Sequence, residues 1–175
     1  EQAADEIGKA LDLIEYCAGV FGFLEGKEYT YRLSLGDRNN QKKYYKNDAA
    51  WEKGEKLLRG VLEKRRGPST GESADLVARP AATTGGQFKE VKDDAAFYGP
   101  KIDIQMKNAN GKEDTAFTVQ YDFCMPDRFN LTYAASDGEQ KRAFVVHRSS
   151  IGAIERVMAF LIEHYAGAFP LWLSP

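Results

Sequence analysis

Two periods run through the apolar positions of this chain. Ile7, Leu11, Ile14, Ala18 and Phe21 recur at helical spacing, with Gly22 and Gly26 after them, which predicts a helix over 3–21 with one buried stripe. Tyr29, Tyr31, Leu33 and Leu35 then alternate with Thr30, Arg32 and Ser34, the signature of a half-buried strand. After the polar loop Gly36-Asp37-Arg38-Asn39-Asn40, Asp48 can cap a second helix whose stripe is Trp51, Leu58, Val61 and Leu62. Lys64-Arg65-Arg66 suits the negative end of that helix's dipole.

From residue 67 to 86 the composition shifts to Gly, Pro, Ser, Thr and Ala, which reads as an inserted, flexible surface loop. Period two then returns. Ile102, Ile104 and Met106 alternate with Lys101, Asp103 and Gln105, and Asn110-Gly111 signals a hairpin. The return strand sets Phe117, Val119, Tyr121 and Phe123 against Thr118, Gln120 and Asp122, with Pro126 to end it. Short strands are expected over 129–133 and 143–148, around an Asp137-Gly138 turn. Ile151, Ile154, Met158, Leu161 and Tyr165 mark a last helix, stopped near Gly167 and Pro170. Strands in succession with helices beside them predict an α+β fold, an antiparallel sheet flanked by helices.

Composition adds boundaries to this picture. The chain has 175 residues, enough for one domain with a sizeable core. A net charge of -2 provides no bulk attraction to nucleic acid, so any RNA contact must be local. No apolar run approaches the length that spans a bilayer, so no membrane partner is expected. Cys17 and Cys124 stand apart, without metal-ligand spacing, and read as small apolar fillers in a reducing cytoplasm. The chain opens at Glu1 within a helical pattern, which suggests a piece of a longer protein.

Candidate chemistry sits in the second half. Lys101, Asp103 and Gln105 share one strand face, and Thr118, Gln120 and Asp122 share the next. Period two alone reads these as a solvated outer face, and the same groups could floor a polar ligand site. His147 follows Ala143 and Val145 on one strand face, where a lone histidine reads as a satisfied core residue. Arg156 falls in the first turn of the last helix and by position reads as a surface arginine, although a cation there opposes the dipole and is slightly unfavourable without a purpose.

Phe97-Tyr98-Gly99-Pro100-Lys101, Thr118-Val119-Gln120-Tyr121-Asp122-Phe123, Val146-His147-Arg148 and Gly152-Ala153-Ile154-Glu155-Arg156 resemble the C-terminal half of a threonyl-tRNA synthetase catalytic domain, a class II aminoacyl-tRNA synthetase. The likeness covers 95–175 and, more loosely, 1–35. It implies an incomplete class II catalytic domain spanning 1–175, part of an enzyme that activates threonine with ATP and charges tRNA(Thr). By the same likeness Tyr98 and Lys101 face substrate or adenylate, Gln120 is a threonine-site glutamine, and Arg156 is the catalytic arginine that meets the ATP phosphates. His147 matches the C-terminal histidine of a zinc site whose other two ligands, a cysteine and a histidine, are expected upstream of Glu1.

ATP with Mg2+ and a zinc ion are therefore expected of the intact enzyme, a homodimer by family habit, and none of them of this piece alone. A second phosphate-binding arginine is likewise expected upstream, so the piece alone should be inactive. Some positions depart from the pattern: Asp114-Thr115 replaces a Trp-Gln whose glutamine is a nucleotide-side residue, Ala153 replaces a serine, and Leu35-Gly36-Asp37-Arg38 replaces Ser-Thr-Arg-Pro. A non-catalytic paralogue binding a nucleotide, a tRNA end or a partner is the alternative reading, and a synthetase for proline or serine is a third.

Overall fold

A computed structural model describes residues 2–65 and 88–174. The expected insertion at 67–86 lies outside the described residues. In chain order the elements are α1 (Gln2–Val20), β1 (Tyr29–Ser34), α2 (Asp48–Arg65), β2 (Lys89–Val91), β3 (Lys101–Lys107), β4 (Glu113–Asp122), α3 (Cys124–Arg128), β5 (Thr132–Ala134), β6 (Gln140–Arg142), β7 (Val145–Ser149) and α4 (Ile154–Tyr165), followed by a single 3-10 turn at Leu171–Leu173. The expected α+β architecture is present.

The main sheet has the order β2-β1-β3-β4-β7. Every pairing in it is antiparallel except β1 with β2, which is parallel. β5 and β6 form a separate two-stranded ribbon around the Asp137-Gly138 turn. One sheet face is apolar, with Leu33, Ile102, Ile104 and Val119 each 0% exposed. Fully burying such a side chain contributes about 1.5–3 kcal/mol. The stripe of α1 (Ile7, Leu11, Ile14 and Ala18) is buried in the same core, and α1 packs against β4, β7 and α2. Arg65 locks the two helices together: it reaches Asp12 at 2.8 Å and Glu15 at 2.7 Å.

Several local expectations are corrected. Asp48 is the first residue of α2, and the capping side chain is Asn47, whose Oδ1 accepts from the Ala50 N–H at 3.2 Å. Pro126 lies inside the short helix α3. The buried stripe of α4 is Val157, Phe160 and Leu161, while Ile154 and Met158 are 67% and 55% exposed and Ile151 precedes the helix. Apolar residues occupy both sides of α4, so periodicity could not say which side meets the core.

β4 carries the main irregularity. Ile104 pairs with Phe117, yet the next pair is Gln105 with Thr115, so Ala116 is an extra, bulged residue. Without that bulge, period two would send Thr115 to the apolar face. With it, Thr115 joins Gln105 on the polar face.

Candidate functional site

Registry across three strands builds one end of the polar face. Lys101 on β3 pairs with Gln120 on β4, and Gln120 pairs with His147 on β7, so the three Cα positions form a row. His147 is not on the apolar face: its neighbour Val146 packs against the core, which turns the imidazole to the opposite side. The histidine side chain is 44% exposed.

Tyr98 reaches this row through a close backbone approach. Pro100 O accepts from Tyr121 N–H at 3.0 Å, and Tyr98 O accepts from Phe123 N–H at 3.4 Å. A Cβ on Gly99 would stand 1.8 Å from the Tyr121 carbonyl oxygen, so only glycine allows the segment to lie against β4. The Tyr98 hydroxyl then donates to Gln120 Oε1, and its ring lies 5.4 Å from that of His147, centroid to centroid. Burial first, and then the charge of Asp122, push the Tyr98 phenol up, so it stays an O–H donor. With its carbonyl occupied, Gln120 is left with its amide N–H groups to offer a ligand.

Two buried carboxylates lie beneath this row. Asp103, 0% exposed, meets Lys101 Nζ at 2.6 Å and the hydroxyls of Ser34 and Thr118 at 2.7 and 2.8 Å. Arg32 lies 3.6 Å from it and 3.2 Å from Asp94. Asp122, also 0% exposed, approaches His147 Nε2 at 2.8 Å. The sequence placed both aspartates on the polar strand face without assigning them a site role. Their signal was adjacency at period two to Lys101 and Gln120, which does not distinguish a carboxylate under the floor from one facing water.

Arg156 stands apart from the row. It is exposed on the first turn of α4, and its guanidinium donates to the main-chain oxygen of Thr115. Thr115 precedes Gln120 by five residues, roughly 15 Å along the strand. The turn into α4 is seated on the bulge: at Gly152, φ is +72 and a Cβ would fall 2.1 Å from the Ala116 carbonyl oxygen. Near Arg156 the Thr115 hydroxyl is engaged by Gln105 at 2.6 Å and Arg32 at 3.3 Å. The polar face is thus a strip with two ends, Tyr98, Lys101, Gln120 and His147 at one and Arg32, Gln105, Thr115 and Arg156 at the other.

Among the described residues no group of three His, Cys, Asp or Glu side chains could hold a metal ion. Cys17 lies on α1, and His164 stands against Phe23 and Tyr165 at the end of α4. Among the described residues, too, no helix is long and apolar enough to cross a membrane.

Residues 2–165 match the family model for the tRNA synthetase class II core domain (G, H, P, S and T). A threonine–tRNA ligase of Clostridium perfringens is 42% identical over 175 residues, all of this chain and 24% of that protein. One from Listeria welshimeri is 40% identical over the same 175 residues, again 24% of the relative. Among solved structures, the RNA binding domain of threonyl-tRNA synthetase from Cryptosporidium parvum Iowa II superposes with a TM-score of 0.75 at 31% identity, covering 100% of this chain and 38% of that one. The chain spans about a quarter of the length of the curated relatives it matches. With the family model matched over residues 2–165, nearly the whole of its length, this chain belongs to the class II tRNA synthetase core-domain family.

Proposed function

We propose that the chain is the later part of the catalytic domain of a threonine–tRNA ligase. The observation that carries this reading is the two-ended strip: Tyr98, Gln120 and His147 side by side at one end, with Arg156 at the other. An amino acid and a nucleotide joined in line need such a floor, since an aminoacyl adenylate is extended and polar along its length. In the proposed reaction the threonine carboxylate attacks the α-phosphate of ATP, pyrophosphate leaves, and the threonyl group passes to the terminal ribose of tRNA(Thr). ATP enters as its Mg2+ complex.

Each side chain has a role that its contacts support. Gln120, its carbonyl held by Tyr98, offers amide N–H groups to threonine. Lys101 places an ammonium beside the row, anchored at 2.6 Å on Asp103, where it can meet the adenylate. Arg156 offers a planar fork of donors to phosphate oxygens, and stabilising the charge that develops there is a major source of rate in group transfer. That fork rests on the Thr115 carbonyl, a weaker partner than a phosphate.

A half-exposed imidazole with a buried carboxylate on one ring nitrogen is how proteins commonly present a metal-ligating histidine, and His147 fits that role. Its zinc, when bound, would supply a Lewis-acid position for the amino and hydroxyl groups of threonine. The remaining ligands and the second phosphate-binding arginine would come from a preceding part of the catalytic domain. The parent enzyme would be a cytoplasmic homodimer, and residues 1–175 would form one unit within its aminoacylation domain.

Threonine-dependent ATP–pyrophosphate exchange tests the reading. The 175-residue chain alone should give no exchange, and the parent enzyme should give it. Arg156→Ala in the parent should lower kcat by about 100- to 1000-fold, and His147→Ala should raise the KM for threonine. Exchange by the chain alone would refute the partial-site reading. A parent without threonine-dependent exchange would favour the non-catalytic paralogue, for which the engaged Thr115 hydroxyl at the nucleotide end is the supporting observation.

A further inference from the structure

Asp122 is buried at the junction of β4 and α3, and both of its oxygens are committed. Oδ1 accepts the backbone N–H groups of Cys124 and Met125, each at 2.9 Å, so the carboxylate is clamped by the first turn of α3. Oδ2 lies 2.8 Å from His147 Nε2. A carboxylate oxygen is an acceptor, so in the neutral ring the shared proton belongs to Nε2 and the lone pair to Nδ1. Tyr98 lies over the same imidazole, its ring tilted by 57° at 5.4 Å, which limits rotation about the Cβ–Cγ bond.

We infer that Asp122 is the positioning residue of this site: clamped by α3, it fixes the tautomer and the angle of His147, so that Nδ1 is the nitrogen offered to a metal ion and through it to substrate. Its role as a zinc-facing device rests on the function proposed above, whereas the tautomer does not. The clamp also ties the orientation of His147 to the folding of α3. A shift in that short helix would move the carboxylate and release the ring.

Long-range nitrogen–proton correlation spectra of the histidine rings read the tautomer directly. The chain holds two histidines, and a His164→Gln variant assigns the signals. At alkaline pH, His147 should show a protonated Nε2 and an unprotonated Nδ1. Asp122→Asn keeps an Oδ1 acceptor for Cys124 and Met125 while turning an N–H donor toward Nε2, so the ring should shift toward the Nδ1–H form. A wild-type ring protonated on Nδ1, an even mixture, or an Asp122→Asn spectrum identical to wild type would each overturn the assignment. The wild-type measurement decides it even where the variant fails to fold.

In the parent enzyme Asp122→Asn should also weaken zinc binding by about 10- to 100-fold, with partial rescue by Asp122→Glu. A shifted tautomer with unchanged zinc affinity would uphold the positioning role and sink the metal reading of His147.

Discussion

Ile102 and Asp103 are consecutive residues of β3, both 0% exposed, and they face opposite ways. Ile102 lies in the apolar layer with Leu33 and Val119, while Asp103 is ringed by Lys101, Ser34, Thr118 and Arg32. One side of the sheet is stabilised by removing hydrocarbon from water, a force without direction. The other is held by charge-assisted hydrogen bonds that must be satisfied together, because a buried charge left alone is expensive. That contrast explains why the polar side can act as a site: its groups are fixed by geometry as well as by exclusion from water.

The contrast can be tested hardest at Asp103. Asp103→Ala strips the carboxylate from Lys101 and takes one of the two carboxylates from Arg32, which keeps Asp94 and the Thr115 hydroxyl, so it should cost about 3–5 kcal/mol in denaturant unfolding. A loss below about 1 kcal/mol would mean that the network is not structural.

On the apolar face the matching weakness is alkaline pH. Burial pushes the Tyr121 phenol up to about 12. The unfolded phenol ionises near pH ~10, so the stability from its burial is whole below that value and is lost as pH rises toward the folded value. The loss should be on the order of 2 kcal/mol. Tyr29 and Tyr31 are raised in the same direction, chiefly by burial. Tyr121→Phe should flatten the pH dependence of the unfolding midpoint across that window. An unchanged profile would show that the phenol is solvated in the folded chain.

The smallest effect is expected at Gln105. Among the described residues its Oε1 is buried without a hydrogen-bond partner, although its amide N–H meets Thr115 at 2.6 Å. Gln105→Met gives up that bond and also removes an unsatisfied acceptor, so stability should move by less than about 1 kcal/mol in either direction. A loss approaching that of Asp103→Ala would place Gln105 inside the obligatory network.

The alternation of Ile102, Ile104 and Met106 with Lys101, Asp103 and Gln105 made β3 legible, and the same holds for β4 beyond Phe117. Hairpin chemistry at Asn110-Gly111 gave their antiparallel pairing, because two short-range signals agreed. β2 was missed: three residues, Lys89–Val91, carry no period, and their parallel pairing with β1 is a long-range contact. His147 was expected on an apolar face because Ala143 and Val145 precede it, but Ala143 lies before β7 and the core-facing residue is Val146. No local pattern told how far Arg156 would stand from the His147 row, and its guanidinium rests on the Thr115 carbonyl farther along β4.

Local sequence by itself determined the three long helices, the long strands and the division of the sheet into an apolar and a polar side, since side-chain period follows directly from backbone geometry. Tertiary structure decided which polar residues are buried partners and which can meet a ligand. Asp103 and Asp122 fall beneath Lys101 and His147 only because three strands pair in one register, and Thr115 turns toward Gln105 only because Ala116 bulges. Registry and bulges are set by contacts among residues far apart in the chain, and no local pattern encodes them.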